Sequence, residues 1–160
     1  MSKKVFWCKN CLNMSTRPRI EFDNKCWCNA CQWSEEKKTF DWEGRKKELK
    51  KLLDKYRSNS GNFDCVVPVS GGKDGSYVAY TLKHKYGMNP LCITVAPALS
   101  LDLGDQNLKN FINSGYSHLH INPDVNIMQK LNKIGFVEKG FPYYGWLIAI
   151  QSAVIRTALN

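Results

Sequence analysis

The centre of the chain contains an apolar run that stops at two adjacent glycines and continues as a helical pattern, all within residues 66–76. The run that begins at Val66 has the composition of a buried strand, and the residues from Lys73 onwards have the spacing of a helix. Between them, Gly71 and Gly72 can adopt positive φ and let a ligand approach the backbone closely. The first N–H groups of a helix have no partner within the helix and attract anions. This stretch therefore predicts a strand, a phosphate-binding loop and a helix in succession.

The loop is not a Walker A loop, because that motif needs a glycine at the position of Val67 and a serine or threonine at the position of Asp74. It resembles instead the Ser-Gly-Gly-x-Asp-Ser signature of the PP-loop ATP pyrophosphatases. Those enzymes split ATP into AMP and pyrophosphate while they adenylate a carbonyl oxygen. The chain departs from the signature at Gly75, which takes the place of the last serine, and Ser76 follows one position later.

The resemblance implies roles for the loop residues. Asp74 would hold Mg²⁺ on the phosphates, because carboxylate oxygen is a preferred ligand of that hard cation. Lys73 would add a positive charge and Ser76 a hydroxyl group, so these three residues are the implied catalytic set. The implied ATP- and pyrophosphate-binding set is Val69, Ser70, Gly71, Gly72, Lys73, Asp74, Gly75 and Ser76.

Two Cys-x2-Cys pairs lie near the start of the chain, 16 residues apart: Cys8 with Cys11, and Cys28 with Cys31. This spacing predicts a zinc ribbon or a treble-clef knuckle in which four thiolates bind one Zn²⁺. The ion is expected to be structural, because a filled tetrahedral site leaves no position for water. Cys26 falls outside the regular spacing and is expected to be free. The segment between the pairs, residues 17–24, is expected to form a short strand that ends in an Asp-Asn turn.

Length and composition indicate one domain plus a small module, since the chain has 160 residues and 43% hydrophobic content. The net charge of +9 lies mainly in residues 1–58, which contain 15 Lys and Arg against 8 Asp and Glu. Such a module could meet nucleic acid, although lysine runs are more typical of solvated helix faces. The start of the chain lacks the apolar core of a signal peptide, and no apolar run is long enough to span a membrane. We therefore expect a cytoplasmic protein.

The order of the predicted elements indicates an α/β fold with a doubly wound parallel sheet, which the loop resemblance identifies with the PP-loop (adenine nucleotide alpha hydrolase-like) type. The predicted strands cover residues 63–69, 91–96 and 117–121, and the predicted helices that follow the first strand cover residues 73–85, 104–114, 124–137 and 143–159. PP-loop domains are generally built on about five strands. The sheet is thus expected to be incomplete, and the chain to be part of a longer enzyme.

The chain is accordingly divided into three parts. Residues 1–40 are the predicted zinc-binding knuckle, residues 41–60 a basic amphipathic linker helix, and residues 61–160 the N-terminal portion of a PP-loop domain. Ligands of such folds bind beyond the carboxyl ends of the strands. By analogy with the fold alone, the backbone of Thr94, Val95 and Ala96 is expected to face adenine.

Leu103-Gly104-x-x-Asn107-x-x-Asn110 follows the second predicted strand. Together with the cysteine pattern and the loop, it resembles the N-acetyl sugar amidotransferase family of bacterial surface-polysaccharide and lipopolysaccharide biosynthesis. The resemblance implies that ATP adenylates the amide oxygen of an N-acetyl sugar nucleotide. Ammonia from a partner glutaminase subunit then displaces AMP and leaves an acetamidino group. Asn107, Asn110, Tyr143 and Tyr144 would meet the sugar, or would be helix surface and packing residues.

Two other functions fit the same residues. Some PP-loop enzymes that thiolate tRNA also carry an N-terminal cysteine knuckle and a basic surface, but they usually need further cysteines beside the nucleotide. Cys65 and Cys92 lie within predicted strands and are expected to be small buried side chains. The other alternative is a zinc-ribbon module that binds nucleic acid and has a degenerate ATPase half. His118 and His120 are expected to be ordinary polar residues of a strand face.

Overall fold

The computed structural model describes residues 4–97 and 99–159. Within them the chain is an α/β protein that divides into two compact units, Met1–Glu48 and Leu49–Asn160. The division lies inside one long helix, and the predicted boundaries after residues 40 and 60 fall on either side of it. No helix in this described part of the chain combines the length and the apolar character that crossing a membrane requires.

The first unit is a small module with little regular structure before its first helix. Isolated antiparallel bridges pair Trp7 with Met14 and Phe22 with Cys28. The helices that follow are α1 (Asn29–Glu36), one 3-10 turn (Lys37–Thr39) and α2 (Trp42–Tyr56), which contains the division between the units.

The predicted strand within residues 17–24 is wrong, because residues 17–19 form a bend and a turn and Phe22 makes an isolated bridge. The Asp-Asn turn predicted at the end of this segment is present, closed by a hydrogen bond from the N–H of Cys26 to the carbonyl oxygen of Asp23. Arg19 has a φ of 58°, which lies outside the strand region. The carboxylate of Asp23 accepts hydrogen bonds from the backbone N–H groups of Lys25 and Trp27 at 2.9 and 2.8 Å. Local bonds of this kind stabilise the turn that follows Asp23.

The second unit contains a parallel sheet of three strands in the order β1 (Cys65–Pro68), β2 (Pro90–Val95) and β3 (Ser117–Ile121). The register places Val67 beside Cys92, and Cys92 beside His118. The prediction of three parallel strands is confirmed, although β1 is shorter than predicted. The helices of this unit are α3 (Lys73–Tyr80), which continues as a π turn (Thr81–Lys85), α4 (Asp102–Asn113), α5 (Val125–Lys139) and α6 (Tyr144–Leu159).

Helices cover both faces of the sheet. On one face, the strand residues Val67 and Cys92 form a buried cluster with Ala79 of α3 and Phe111 of α4. Strand residues that alternate with these point to the opposite face. On that face Ile93 is only 1% exposed, and α6 contacts β1 and β2. The carboxyl ends of the strands are therefore the edge at which a ligand can approach.

Asp64 fixes the chain where it enters β1. Its carboxylate accepts hydrogen bonds from the backbone N–H groups of Ser58 at 2.5 Å and Asn89 at 2.6 Å. These two donors lower the pKa of Asp64, and the positive charge of Arg57 adds to their effect. One charged side chain thus ties the segment after α2 to the turn before β2.

Candidate functional site

A cleft of about 1080 Å³ lies over the carboxyl ends of the strands. Its walls are the ends of β1 and β2, the segment that leads into α4, the first turns of α4, and one side of α6. The residues that line the cleft include Ser70, Thr94, Ala96, Asn107, His120 and Trp146. Small-molecule sites commonly measure about 300–1,000 Å³, so this cleft lies at the upper end of that range.

The glycine loop (residues 70–72) connects β1 to α3 and borders this cleft through Ser70. Gly71 has a φ of +75°, and a Cβ atom there would stand 2.6 Å from the backbone nitrogen of Leu108 in α4. Only glycine fits this position without displacing α4 or the loop. Gly72 is the N-cap residue of α3 and has an extended backbone, with φ −77° and ψ 163°. The N-terminus of α3 therefore follows directly on the turn, as an anion-binding loop requires.

Gly75 gives a geometric reason for the departure from the Ser-Gly-Gly-x-Asp-Ser signature. A Cβ atom at Gly75 would lie 2.8 Å from the carbonyl oxygen of Pro68, closer than the 3.0 Å below which real Cβ atoms are essentially never found. Helix α3 and strand β1 thus pack too closely here for a serine. Ser70, which lines the cleft, and Ser76, in the first turn of α3, still supply hydroxyl groups to this stretch of the chain.

Lys73 and Asp74 begin α3 and form an ion pair, with Lys73 Nζ 3.1 Å from Asp74 Oδ1. Both side chains are 91% exposed, and neither lines the cleft. An ion pair this exposed contributes about 0–1 kcal/mol. Asp74 can therefore exchange Lys73 for another cation at little cost in free energy.

The other predicted ligand-facing residues fall into two groups. Residues 94–96 and Asn107 line the cleft beside the glycine loop. Asn110 does not line it, and its side chain accepts a hydrogen bond from Gln106 in the preceding turn of α4 at 2.9 Å. Tyr143 and Tyr144 are exposed at the start of α6 and are also absent from the lining.

His120 and Trp146 are among the lining residues that the sequence did not predict. His120 lies at the carboxyl end of β3 and lines the cleft, a position that the rule for ligands of parallel sheets could have singled out. Trp146 reaches the cleft from α6. Its indole nitrogen is buried and has no acceptor among the described residues. Nothing in the local sequence distinguishes Trp146 from a packing residue of an apolar helix.

The second candidate site is the cysteine cluster (Cys8, Cys11, Cys28 and Cys31) of the first unit, whose four Sγ atoms all lie within 4.8 Å of one another. The Sγ separations are 3.5 Å for Cys11–Cys28, 3.7 Å for Cys28–Cys31 and 3.8 Å for Cys8–Cys31. Four thiolates bound tetrahedrally to one Zn²⁺ stand about 3.8 Å apart. The four predicted cysteines could therefore hold a zinc ion, and Cys26 lies outside the cluster.

Local structure presents these sulfur atoms in two different ways. Cys28 is the N-cap residue of α1 and Cys31 lies in its first turn, so both sulfur atoms lie at the positive end of the helix dipole. Cys8 instead belongs to a turn, and its Sγ accepts hydrogen bonds from the backbone N–H groups of Asn10 at 3.4 Å and Cys28 at 3.2 Å.

The thiols of this cluster do not hold their protons equally. Burial raises the pKa of Cys8, but backbone hydrogen bonds at Cys11, Cys28 and Asn10 outweigh it and lower the pKa to about 6. The side chain of Asn10 lowers the pKa of Cys31, but the neighbouring thiols and burial raise it to about 12. At neutral pH a metal-free cluster therefore keeps at least one proton, which a bound cation would displace.

The structure thus defines an α/β protein with a small three-stranded parallel sheet and a four-cysteine module. No model of a known protein family matches the chain. Over 89 residues the chain is 33% identical to an uncharacterized protein of Methanocaldococcus jannaschii. The match covers 55% of this chain and 32% of that protein, so the chain spans about a third of the relative's length. The relative's name gives no activity. The features that bear on function are therefore the cleft beside the glycine loop and the cysteine cluster.

Proposed function

We propose that the chain is an ATP-dependent amidotransferase of the PP-loop type, which acts on the amide oxygen of an N-acetyl sugar nucleotide. The observation that carries the proposal is the glycine loop between β1 and α3, beside a cleft of about 1080 Å³ at the carboxyl edge of the sheet. A tight glycine turn and a helix N-terminus favour phosphate binding, and the edge is where α/β folds bind nucleotides.

In this proposal the triphosphate lies along the glycine loop. The backbone N–H groups of residues 70–76 would bind the departing pyrophosphate, and Lys73 would add a positive charge. Asp74 would hold Mg²⁺, which offsets negative charge on the phosphates when it is bound. Adenine would lie against residues 94–96, which follow the end of β2 and line the cleft. Asn107 lines the same cleft and would meet the sugar.

The proposed chemistry exchanges oxygen for nitrogen at the amide carbon. The amide oxygen attacks the α-phosphorus of ATP, and the bond to pyrophosphate breaks. Ammonia then adds to the activated carbon, and AMP leaves with the original oxygen, so that an acetamidino group forms and a proton is released. An amide oxygen is a poor leaving group and an adenylate is a good one. Positioning of the reactants is therefore the main task of the protein.

The ammonia would come from a partner glutaminase subunit. A cysteine-dependent glutaminase needs a reactive thiolate, and burial raises the pKa of the Cys92 thiol to about 11. Burial also raises the pKa of Cys65. Because both thiols of the second unit are shielded in this way, they favour neither glutamine hydrolysis nor the thiolation of tRNA. The cysteine cluster of the first unit would hold a structural zinc ion.

The test incubates the protein with ATP, Mg²⁺, ammonium chloride and a panel of N-acetyl sugar nucleotides. We expect equal amounts of AMP and pyrophosphate, and a sugar product lighter by about one mass unit, because an NH group replaces an oxygen atom. Gly71→Ala should abolish the reaction. Its matched control, Gly61→Ala, changes a glycine that also has positive φ but has no heavy atom within 4 Å of the added Cβ, and it should retain activity.

Glutamine should not replace ammonium unless a glutaminase is added. Formation of AMP only with tRNA and a sulfur donor would identify the chain as a tRNA-thiolating enzyme instead. Binding of RNA without any AMP formation would favour the nucleic-acid-binding alternative. Failure to form AMP with any of these substrates would overturn the proposal that the glycine loop is part of an ATP pyrophosphatase.

A further inference from the structure

Thr94 is a buried polar residue near the end of β2, at the edge of the cleft. The residue is 4% exposed, and it is the polar member of an otherwise apolar set of buried residues in the described part of the chain. Its hydroxyl oxygen lies 2.8 Å from the carbonyl oxygen of Val69 and 2.8 Å from Nε2 of His118. A threonine hydroxyl group has one hydrogen atom to donate and lone pairs to accept, so these two partners can occupy both roles.

The direction of these two hydrogen bonds follows from the donors available. A carbonyl oxygen only accepts, and a threonine hydroxyl has a single hydrogen atom, so Thr94 donates to Val69 and accepts from His118. The Nε2 atom of His118 must therefore carry a proton, an assignment made from the network. Burial lowers the pKa of His118, and the neighbouring His120 lowers it further, so the ring at neutral pH is the neutral Nε2–H tautomer.

The two hydrogen bonds form a relay from His118 through Thr94 to the carbonyl oxygen of Val69. Val69 is the last residue before the glycine loop. Strand β1 ends at Pro68, and the backbone N–H of Val69 still donates to Ile93 at 2.8 Å. After β2 the backbone bonds to β3 and no longer to β1: the N–H of Ala96 donates to the carbonyl oxygen of Ile121 at 2.8 Å. The side chain of Thr94 thus binds the Val69 carbonyl where the backbone ladder of β1 stops.

We propose that Thr94 and His118 are positioning residues for the glycine loop. Their relay fixes the carbonyl of Val69, and with it the direction in which the chain leaves the sheet towards the left-handed Gly71. The inference deepens the proposed function, because it assigns to these two side chains the preorganisation of the loop that would bind pyrophosphate. The role of Thr94 is exerted through its hydroxyl group, independently of any contact between its backbone and adenine.

The first arm of the test needs no ligand. In wild-type protein, ¹⁵N NMR of the imidazole should show His118 as the Nε2–H tautomer, and Thr94→Val should shift it towards a mixture of tautomers. Amide hydrogen exchange at Gly71 and Gly72 should become about tenfold faster in Thr94→Val, because one buried hydrogen bond is lost. Thr94→Ser keeps the hydroxyl group and should behave as wild type. Unchanged exchange and an unchanged tautomer in Thr94→Val would overturn the inference.

The second arm measures the binding of Mg²⁺ with pyrophosphate by calorimetry. Thr94→Val should raise the dissociation constant about tenfold, and Thr94→Ser should restore it. Thr81→Val is the matched control, because the hydroxyl of Thr81 is also buried but has no hydrogen-bond partner in the described structure. An equal loss of affinity in Thr81→Val and Thr94→Val would overturn the positioning role.

The two arms also separate this inference from the function on which it rests. If wild-type protein binds no pyrophosphate while the loop exchange responds to Thr94→Val, the proposed function fails and the positioning role stands. If Thr94→Val does not fold, His118→Leu removes the donor to Thr94 and His118→Gln supplies another N–H donor. His118→Leu should then show the faster exchange, and equal exchange in both variants would contradict the relay.

Discussion

Replacing Gly71 with alanine is expected to lower the free energy of unfolding of the second unit by about 2–5 kcal/mol, from two penalties that add. The first is conformational: Gly71 has a φ of +75°, and a residue with a Cβ atom in the left-handed region costs about 1–2 kcal/mol. The second is steric, because the new Cβ would stand 2.6 Å from the nitrogen and 3.0 Å from the Cα of Leu108. Overpacking of this kind costs about 1–3 kcal/mol.

The assay is urea unfolding followed by circular dichroism, with the free zinc concentration held constant so that the first unit is equally metallated in every sample. Gly61→Ala isolates the conformational penalty, because Gly61 has a φ of +81° and no heavy atom within 4 Å of the added Cβ. Gly72→Ala is the neutral control, since Gly72 has φ −77° and its added Cβ would be 3.4 Å from the Ser70 hydroxyl oxygen. Gly61→Ala should cost about 1–2 kcal/mol, and Gly72→Ala less than about 1 kcal/mol, because loss of the N-cap glycine and reduced flexibility of the unfolded chain oppose each other.

The difference in the free energy of unfolding between Gly71→Ala and Gly61→Ala tests the steric penalty. If Gly71→Ala costs no more than Gly61→Ala, the loop does not pack against α4 as described. If Gly71→Ala is as stable as wild type, the left-handed turn itself is refuted. Faster amide exchange at Leu108 in Gly71→Ala alone would locate the second penalty at the contact with α4.

Three further outcomes are expected. Metal analysis of the purified variants should show that Cys28→Ser loses bound zinc and that Cys26→Ser retains it. Zinc retained in Cys28→Ser and lost in Cys26→Ser would show that Cys26, and not Cys28, is the ligand. Asp74→Asn should abolish AMP and pyrophosphate formation and change stability by less than about 1 kcal/mol, since its ion pair is exposed; undiminished pyrophosphate release would remove Asp74 from the mechanism. Asp64→Asn should destabilise the second unit at pH 7 and progressively less as the pH is lowered below the ordinary carboxyl pKa. The pKa of Asp64 is lowered, so its contribution is present above the ordinary carboxyl pKa and is lost as the pH falls through the lowered value; a difference independent of pH in urea unfolding would contradict this.

The position of β2 was predictable because burial on two faces leaves a continuous apolar run, and that of β3 because polar and apolar residues alternate along it. The predicted strand over residues 91–96 differs from β2 by one residue at each end, and the strand over residues 117–121 coincides with β3. In the first unit the same approach failed over residues 17–24. The cysteine cluster, rather than a sheet face, is the centre of that module, so side-chain bonds such as those of Asp23 decide the local conformation.

The glycine loop shows where sequence reasoning stops. Its glycines predicted a tight turn, but the close approach of Gly71 to Leu108 depends on how α4 packs on the sheet. The same holds for His120 and Trp146, which reach the cleft only through the register of β3 and the placement of α6. A single sequence contains no periodic signal for contacts between residues so far apart in the chain.

The first residue of α1 follows directly on Cys28, so a metal ion bound there would couple the formation of this helix to the concentration of the metal. A helix of 8 residues is too short to persist alone in water, because its nucleation is unfavourable. A cation bound by Cys28 and Cys31 would fix its first turn. Above the dissociation constant, each tenfold increase in free zinc would then add about 1.4 kcal/mol to the stability of the first unit. We therefore expect the fraction of molecules with an intact N-terminal module to follow the zinc status of the cell, whatever the concentration of ATP.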